Sequence, residues 1–449
     1  MGRPLNVDIS MSKKSLFLIA SVSAIFWLVA TPNPASGQGN TWAGRNLEQS
    51  IETARWRLGA LRVNAAFDLR NVGYDSDIYS GYFAETVPDY TFSASAPVQV
   101  LLPLRKEVVL EIFDSPQYVF YLDTPKERAW NNSFRGLIHF AQKRLYFQAG
   151  GSLSSIRQHL SHELTANIRQ KEDGLNGLVL WQASREASLA LLYRRADYRY
   201  GDSEYGGGDI AEWLNRNVNY FDFITYLQPN PRVRYYVDGQ YATYNFTEAS
   251  SAFKDSRSYG VFGGLELTPR VGELLQAAGV RGTIRLGYMR FDMNDPQYID
   301  GSGFVGQVEV SVGFLKKTEG RAFFSRGFQF SAYSNATYYL SSSFGGGVSR
   351  RVSRKIKISY DLSFYRSSYP VGETGGSSSP QGYYNRYSAH VFSLDIRLAR
   401  YLGIGFSGTI GKRKRVGSGQ VRDLGFFGFN LIYGVPTGAM SAPARSLYR

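Results

Sequence analysis

The segment Val218–Phe246, with the sequence VNYFDFITYLQPNPRVRYYVDGQYATYNF, contains the pattern that decides the fold. In its second half, Arg232, Arg234, Tyr236, Asp238 and Gln240 alternate with the mostly apolar residues Val233, Tyr235, Val237, Gly239 and Tyr241. A period of two places these two sets on opposite faces of a β-strand. The two halves are joined by Pro229-Asn230-Pro231, which lacks two backbone N–H groups and suits a tight connection. The segment therefore predicts a β-hairpin with one polar and one apolar face.

The composition favours many short strands joined by turns. The chain has 449 residues, of which 15% are aromatic, 47 are glycine and 16 are proline. This mixture fits strands and turns better than a helical bundle. The formal net charge is +14, and the chain has no cysteine. The lack of cysteine excludes a disulfide-stapled secreted domain and a lipoprotein.

The N-terminus has the features of a secretory signal peptide. Lys13 and Lys14 precede the apolar run 15–30, and the small residues Ala35 and Gly37 follow it. We expect cleavage after Gly37, so that residues 1–37 are the signal peptide, with the start at Met1 or Met11. An uncleaved membrane anchor is the alternative. After residue 37 the sequence has no apolar run of roughly 18 residues, so any further membrane crossing has to be made by strands.

Residues 38–58 are expected to form a short periplasmic segment before the first strand. Leu47, Ile51, Ala54 and Leu58 stand at helical spacing. The spacing leaves two alternatives open, a short amphipathic helix and a disordered leader.

Eighteen segments have the length and pattern of membrane-crossing strands. Each is near or above the ~9–11 residues that a tilted strand needs to cross a bilayer. Val308, Val310 and Val312 alternate with polar residues in one of the clearest cases. The predicted strands are 62–71, 89–101, 107–121, 133–142, 144–158, 174–183, 185–200, 215–228, 232–246, 257–268, 280–293, 304–316, 321–335, 341–353, 355–368, 386–399, 401–414 and 424–434.

The connections between these strands fall into two classes. Short links such as Ser184-Arg185 alternate with long polar links such as 72–88 and 369–385. Outer-membrane barrels have short turns on the periplasmic side and long loops outside. The sequence therefore predicts an all-β, transmembrane, antiparallel up-and-down β-barrel over residues 59–434, with about 18 strands and 16 possible. Both termini and the tail 435–449 are expected in the periplasm, and a secreted array of β-sandwiches is the alternative.

The opening of the predicted barrel resembles that of a known family. Trp56–Tyr79, with the sequence WRLGALRVNAAFDLRNVGYDSDIY, is similar to the first strand and loop of the putative β-barrel porin 2 family, although Asp77 stands where Asn is usual. The likeness continues through Pro88–Phe92 and a second strand that ends in Leu102-Pro103-Leu104. The resemblance implies an outer-membrane barrel and, as for several members, an association with exopolysaccharide production or export.

The closing strand resembles the signal that the barrel-assembly machinery reads during insertion. Phe427, Phe429, Leu431 and Tyr433 alternate with smaller or polar residues. Phe426 departs from this pattern, because a polar residue is common at its position.

The side chains that strand parity places inside the barrel have a cationic excess. The basic candidates are Arg62, Arg70, Arg194, Arg234, Arg285, Lys355, Lys357 and Arg397, and the acidic ones are Asp68, Asp238, Glu309, Asp361 and Asp395. Cations that face confined water raise the local concentration of anions. The sequence therefore predicts a lumen that favours anions or tolerates acidic glycans. The alternative is that Arg and Asp pair across neighbouring strands and only stiffen the wall.

No residue pattern predicts an enzyme, a cofactor or a metal site. The four histidines are His139, His159, His162 and His390, and two of them near Ser161 without supporting carboxylates make neither a metal site nor a catalytic dyad. Gly206–Gly208 and Gly345–Gly347 lack the setting of a phosphate-binding loop.

The predicted partners follow from the membrane location. They are outer-membrane lipid and lipopolysaccharide, the barrel-assembly machinery and polysaccharide export components, but not nucleic acid. Lys412–Arg415 is expected to be a basic loop on the outer rim that meets lipopolysaccharide or surface glycan. The expected interfacial aromatic girdle comprises Tyr79, Tyr82, Tyr198, Tyr200, Tyr338, Tyr339, Tyr383 and Tyr384.

Two functions are compatible with these predictions. The first is a porin-like channel that passes a hydrophilic solute or a polysaccharide export product, because a barrel of this size has an aqueous lumen unless loops plug it. The second is a structural or surface-binding outer-membrane barrel with a plugged lumen.

Overall fold

The computed structural model of the protein describes residues 41–79, 86–159, 163, 167–201, 204–205, 208–230, 232–267, 279–332, 336–369, 384–415 and 421–434. Several predictions lie outside these residues: the signal peptide 1–37, the tail 435–449, Tyr82 and Tyr383 of the aromatic girdle, Gly206 and His162.

Eighteen strands make up the barrel, and two of them consist of two segments. The strands are β1 (Leu61–Asp75), β2 (Asp89–Ser95 and Val98–Pro103), β3 (Val108–Asp114 and Gln117–Tyr121), β4 (Ala129–Gln142), β5 (Leu145–His159), β6 (Asn167–Gln182), β7 (Ala187–Gly201), β8 (Arg216–Asn230), β9 (Val233–Phe246), β10 (Ser256–Leu267), β11 (Val280–Met293), β12 (Gly301–Leu315), β13 (Thr318–Phe330), β14 (Tyr338–Arg351), β15 (Ile356–Ser368), β16 (Tyr384–Ala399), β17 (Leu402–Arg415) and β18 (Val421–Gly434).

The strands close into a ring. Each strand pairs antiparallel with the next one along the chain, and β1 pairs with β18 through partners such as Phe67 and Tyr433. Closure leaves no unpaired sheet edge, which a barrel inside a membrane requires. The predicted antiparallel up-and-down barrel is therefore confirmed, with eighteen strands rather than sixteen.

The wall is irregular in its first three strands. β2 is interrupted at Ala96-Pro97 and β3 at Ser115-Pro116, because proline has no N–H to give to the ladder. β1 has a bulge at Asn71, whose φ of 52° is left-handed and whose N–H donates to Asn430 Oδ1 at 2.8 Å. The prediction of continuous second and third strands was wrong at these positions.

Short additional elements precede and connect the strands. Helix α1 (Trp42–Glu52) and a three-residue strand, Trp56–Leu58, come before β1, and helix α2 (Ile210–Leu214) lies between β7 and β8. Glu204–Tyr205 and Gly208–Asp209 form a small hairpin, and Pro125–Glu127 and Ala249–Lys254 are 3-10 helices. Of the two alternatives for residues 38–58, the helix is observed. None of the helices in the described ranges is long and apolar enough to span a membrane.

The two ends of the barrel differ in their connections. At the short-turn end, near Leu61 and Gly434, links such as Lys143-Arg144 and Arg400-Tyr401 have two residues. At the long-loop end, near Asp75 and Arg415, the links are longer and contain α2 and both 3-10 helices.

Two predictions about basic residues near strand ends were wrong. Lys412–Arg415 ends β17 and is not a loop: Lys412 and Lys414 are exposed on the outer face, and Arg413 is buried on the inner face. Lys355 lies in the turn before β15, not on a strand. The turn forms there because Ser353 Oγ accepts the backbone N–H groups of Lys355 and Ile356, each at 3.1 Å.

The outer face of the barrel is apolar. On β8, Phe221, Phe223 and Leu227 are exposed, whereas the alternating Val218 is buried inside. Tyr338 and Tyr339 are not part of an outer girdle, because they pack against loop-end aromatic rings, Tyr338 against Phe291 at 5.5 Å. Tyr198 likewise belongs to the inner aromatic cluster. The prediction that Tyr198, Tyr338 and Tyr339 belong to an interfacial girdle was therefore wrong.

Candidate functional site

Helix α1 lies across the inside of the short-turn mouth. Its Ala43 belongs to one buried cluster with inner-face side chains of four neighbouring strands, which are Ala141, Tyr146, Leu180 and Ala190. The helix begins after Thr41, whose hydroxyl accepts the N–H of Gly44 at 3.1 Å. Beyond its other end, the guanidinium of Arg55 lies 4.2 Å from the ring centre of Tyr401, near the β1–β18 seam. The helix therefore crosses part of the mouth and narrows it.

A buried polar network lies on the inner wall beside α1. Glu111 accepts hydrogen bonds from Gln99 Nε2 and from an Arg135 NH group, both at 3.1 Å. Its other oxygen is 3.0 Å from His139 Nε2, and His139 Nδ1 is 2.8 Å from the Tyr146 hydroxyl. Glu111 is 7% exposed and His139 is 3% exposed. A carboxylate this deeply buried requires such a full set of donors, so the network fixes the wall of β2–β5.

Several predicted lumen residues form ion pairs near this part of the wall. Arg70 lies 2.7 Å from Asp68, both on β1. Arg194 of β7 lies 2.6 Å from Glu172 of β6. Arg62 donates to the Gly59 carbonyl at 2.7 Å, which holds it at the short-turn rim.

The hairpin that predicted the fold provides the next two pairs. Arg234 of β9 bonds Glu266 of β10 through two guanidinium nitrogens. Arg285 of β11 reaches across β10 to Asp238 of β9, with 3.1 Å between Nε and Oδ2. The Arg285 guanidinium lies 3.6 Å from the ring centre of Phe262, which stands between the two strands. These pairs cross-link the inner faces of β9, β10 and β11.

A polar cleft of about 640 Å³ occupies the inner wall from β10 to β16. Arg281 lies 2.6 Å from Glu319, and Arg321 lies 2.7 Å from Asp361. The second pair spans β14, where an added Cβ at Gly347 would lie 1.9 Å from Asp361 Oδ1. Glycine at this position therefore lets the carboxylate cross the intervening strand.

The remaining predicted lumen residues are more exposed. Lys357, Glu309 and Asp395 line the cleft, and Lys357 stands directly opposite Asp395 in the β15–β16 register. Arg397 is exposed near the short-turn end, where its N–H donates to the Lys355 carbonyl at 2.7 Å. The cleft lining thus has five carboxylates, from Glu266, Glu309, Glu319, Asp361 and Asp395, and three basic side chains, from Arg281, Arg321 and Lys357.

Loops from separate parts of the ring meet at the long-loop end. Glu163, between β5 and β6, accepts hydrogen bonds from Ser331 Oγ at 2.8 Å, the Ala332 N–H at 2.7 Å and the Tyr369 hydroxyl at 2.5 Å. Lys254 donates to the Ser331 carbonyl at 2.8 Å. Since β6 and β13 are seven positions apart in an eighteen-strand ring, these bonds form a tie across the mouth. We call it the Glu163 tie.

The histidines do not assemble a catalytic or metal centre among the described residues. His139 belongs to the Glu111 network, and His390 faces outward with its Nδ1 2.8 Å from the Tyr360 hydroxyl. In the same described ranges, no group of three or more histidine or carboxylate side chains could hold a metal ion.

Sequence reasoning missed many of the partners inside the barrel. Glu172, Glu266, Glu319 and Arg321 have the parity of lumen residues and could have been found from the alternation alone. A different sequence pattern could have indicated the region of the Glu111 network. Val108, Val109 and Leu110 form an uninterrupted apolar run, which is typical of a strand that is covered on both faces.

The central part of the chain matches the model of one known family. Residues 182–398, from the end of β6 to β16, match the family described as Putative beta-barrel porin 2. The resemblance to this family is therefore confirmed, over a region that lies after the motif at Trp56–Tyr79. No curated protein sequence matches the chain.

Solved structures of outer-membrane proteins are similar at low identity. OccK3 (OpdO) of Pseudomonas aeruginosa is 11% identical, with 87% of this chain and 97% of that chain covered and a TM-score of 0.45. The outer membrane protein opdK of Pseudomonas aeruginosa is 11% identical, with 83% and 98% covered and a TM-score of 0.48. OccAB4 of Acinetobacter baumannii is 13% identical, with 83% and 98% covered and a TM-score of 0.47. The central part of the chain therefore resembles a β-barrel porin family, and the fold is a closed β-barrel.

Proposed function

From the match of residues 182–398 to the Putative beta-barrel porin 2 family, we propose that this barrel passes hydrophilic, polyhydroxylated solutes across the outer membrane. The observation that carries the proposal is the cleft of about 640 Å³ along β10–β16. Its arginine–carboxylate pairs and the hydroxyl groups of Ser311, Ser359 and Ser393 offer hydrogen-bond donors and acceptors side by side. Such a surface suits sugars, because paired charges bind hydroxyl groups without repelling a neutral solute.

Liposome swelling with sugars of increasing size tests this passage. The wild-type barrel should admit small sugars, and a Ser359→Trp/Ser393→Trp variant should slow their entry because these two serines are cross-strand partners that line the cleft. Ser388→Trp is the matched control, since Ser388 is on the opposite, outward face of β16. No swelling with the wild-type protein would contradict the proposal, and so would equal slowing by both variants.

The anion preference predicted from the sequence is a finer part of the proposal. A second cavity, of about 270 Å³ beside α1, has Arg45, Arg185 and Arg234 in its lining against Glu186, and Arg234 is also paired with Glu266. This cationic mouth supports a weak preference for anions, although the carboxylates of the main cleft oppose it. Reversal potentials under a salt gradient provide the test, and cation selectivity would contradict the preference.

The polysaccharide link is proposed from the family resemblance. A barrel that binds sugars along one wall could export the glycan of an exopolysaccharide system. Deletion of the gene should then retain polysaccharide inside the cell envelope, whereas the cleft variant Ser359→Trp/Ser393→Trp should retain it partially. Normal polysaccharide release from the deletion strain would rule out this export role. The proposal that the barrel passes small solutes would still stand.

We also propose that the short-turn end and both termini face the periplasm, as in other outer-membrane barrels. The chain has no cysteine, so single cysteines report their side of the membrane cleanly. A membrane-impermeant maleimide should label Ala252→Cys, in the exposed part of the β9–β10 loop, on whole cells. It should not label Arg354→Cys in the β14–β15 turn, and the reverse result would invert the orientation.

The Glu163 tie supports a second candidate, a structural or surface-binding barrel with a plugged lumen. Its bonds cross the long-loop mouth while α1 crosses the other. Single-channel recordings separate the two candidates, because a plugged barrel should show no conductance with the wild-type chain. A binding role would then rest on the loop surface alone.

A further inference from the structure

Four exposed cations form a row on the outer face near the long-loop end. Arg326 on β13 stands opposite Ser342 on β14, and Ser342 stands opposite Arg366 on β15. Arg366 in turn stands opposite Arg386 on β16, and Arg386 opposite Lys414 on β17. All four cationic residues are exposed. Four strand spacings of about 4.8 Å give this cation row a length of roughly 19 Å.

The cation row borders the apolar band directly. The next outward row toward the short-turn end contains Phe324, Phe344 and Phe364 on β13, β14 and β15. The Phe344 and Phe364 rings stack with 5.2 Å between their centres. Aromatic residues mark the level of the membrane interface in such barrels. The cation row therefore lies at the height of the lipid headgroups.

The part of the row formed by Arg386 and Lys414 is electrostatically unfavourable by itself. Cations directly opposite each other on neighbouring strands destabilise a sheet. Elsewhere on the outer face at this end, several cations have acidic neighbours: Arg199 pairs with Asp173 although it also stands opposite Lys171, Arg195 pairs with Asp197, Arg290 pairs with Asp292, and Arg257 stands opposite Asp292. By contrast, within the described ranges no carboxylate oxygen lies within 4 Å of the Arg326, Arg386 or Lys414 side chains. An external anion would remove the repulsion.

We propose that the cation row binds the phosphate groups of lipid headgroups in the surrounding leaflet. The guanidinium groups of Arg326 and Arg386 can each hold a phosphate through two parallel hydrogen bonds. A lipid fits better than a soluble anion because the row faces outward and touches the apolar band. With the long loops outside the cell, this lipid is the phosphorylated glycolipid of lipopolysaccharide. The proposal rests on the outer-membrane location and not on the passage of solutes.

A lipid-binding experiment on the full folded chain tests the proposal. The chain in non-ionic detergent is titrated with bisphosphorylated lipid A, with dephosphorylated lipid A and with inorganic phosphate, and bound lipid is counted by native mass spectrometry. The test variant is Arg326→Gln/Arg386→Gln/Lys414→Gln. The control is Arg199→Gln/Arg257→Gln/Arg290→Gln, which removes the same charge from cations that have acidic neighbours.

The test variant should bind bisphosphorylated lipid A roughly a hundredfold more weakly than wild type, because each basic residue near an anionic lipid contributes about fivefold. The control should retain nearly all binding, and dephosphorylated lipid A should bind neither protein tightly. In lipid-free detergent the test variant should melt no lower than wild type, because its repulsion is relieved. Equal losses in the two variants, equal binding of dephosphorylated lipid, or displacement by inorganic phosphate at matched concentration would overturn the proposal.

Discussion

The two halves of the inner wall differ in what covers them. On the side from β1 to β7, the apolar inner-face residues Leu101 and Leu180 are both 0% exposed, and Leu180 belongs to the buried cluster that includes α1. From β10 to β16 the inner face lines an open cleft, where Glu309 and Asp395 remain exposed. The same strand alternation therefore produces a packed interior on one side of the barrel and a solute-accessible surface on the other.

This difference assigns different roles to chemically similar groups. Glu111, on the covered half, is held by three side chains, because burial of a carboxylate without partners is costly. Glu319, on the open half, has Arg281 as its partner, and both side chains are more than a third exposed. Water screens the second pair. We therefore infer that charges on the covered half stabilise the wall and charges on the open half meet the solute.

Among the variants that test this difference between the two halves, removal of α1 should have the largest effect. A chain without residues 41–54 exposes the inner face of β4–β7, so the free cross-section of the short-turn mouth increases. We expect single-channel conductance to rise severalfold. Asn46→Ala, on an exposed position of α1, is the control and should conduct like wild type. Equal conductance of the deletion and the wild type would mean that α1 does not limit the passage.

The next prediction compares one carboxylate from each half. Glu111→Ala leaves Arg135 and His139 without their buried partner and should lower the free energy of unfolding by about 3 kcal/mol. Glu319→Ala should cost only about 0–1 kcal/mol, since its pair is exposed. Urea unfolding in detergent micelles, followed by intrinsic fluorescence, measures both. Similar losses would mean that the two halves are equally packed.

Substitutions of two glycines test how tightly the inner wall of the open half is packed. Gly347→Ala places a Cβ 1.9 Å from Asp361 Oδ1, so we expect a loss of about 1–3 kcal/mol and a displaced Arg321–Asp361 pair. Gly327→Ala on neighbouring β13 meets nothing within 4 Å and should change stability by less than about 0.5 kcal/mol. If the two variants have the same stability, the position of Asp361 does not depend on the absence of a side chain at Gly347.

Much of the barrel could be predicted from the sequence because its physical cause is local. Alternation of side chains along each strand reports the two environments directly, and Val218–Phe246 was sufficient to assign them. The parity of Arg234, Asp238 and Arg285 also placed them on the inner wall. What parity could not supply was their partners, because Arg285 pairs across a whole strand with Asp238 and depends on the register of three strands.

Other features could not be read because they arise from contacts between distant segments. The helical spacing at 38–58 left the helix open as an alternative, but its place inside the mouth depends on the buried cluster that Ala43 shares with Ala141 and Ala190. The buried state of Tyr338 depends on rings of other strands such as Phe291, and that of Tyr339 depends on Ala336 and Tyr369 beyond the strand ends. The breaks of β2 and β3 are different, since Pro97 and Pro116 gave a local signal that the strand assignment overlooked.

The smallest expected effect concerns the Glu163 tie, which joins the loop of the covered half to Ser331 and Tyr369 of the open half. Burial raises the pKa of Glu163 above its usual 4.5, although the Ala332 N–H and the hydroxyls of Tyr369 and Ser331 oppose the shift. Because the folded pKa is raised, the stability that Glu163 contributes is complete below about pH 4.5 and is lost as the pH rises through the raised value. Thermal midpoints should therefore fall slightly over this range, and the long-loop mouth should open more often. Glu163→Gln should reduce the pH dependence of the thermal midpoint and abolish that of the mouth opening.

A variant of Asp255 distinguishes the pH effect of the Glu163 tie from the titration of other buried loop carboxylates. Burial also raises the pKa of Asp255, whose carboxylate accepts the Phe246 N–H at 2.6 Å within one side of the ring. Asp255→Asn should reduce the pH dependence of the thermal midpoint but leave the pH dependence of conductance unchanged, because this bond does not cross the mouth. If Asp255→Asn and Glu163→Gln alter the conductance alike, the gating belongs to the loops as a group, and the tie between the two halves has no separate role.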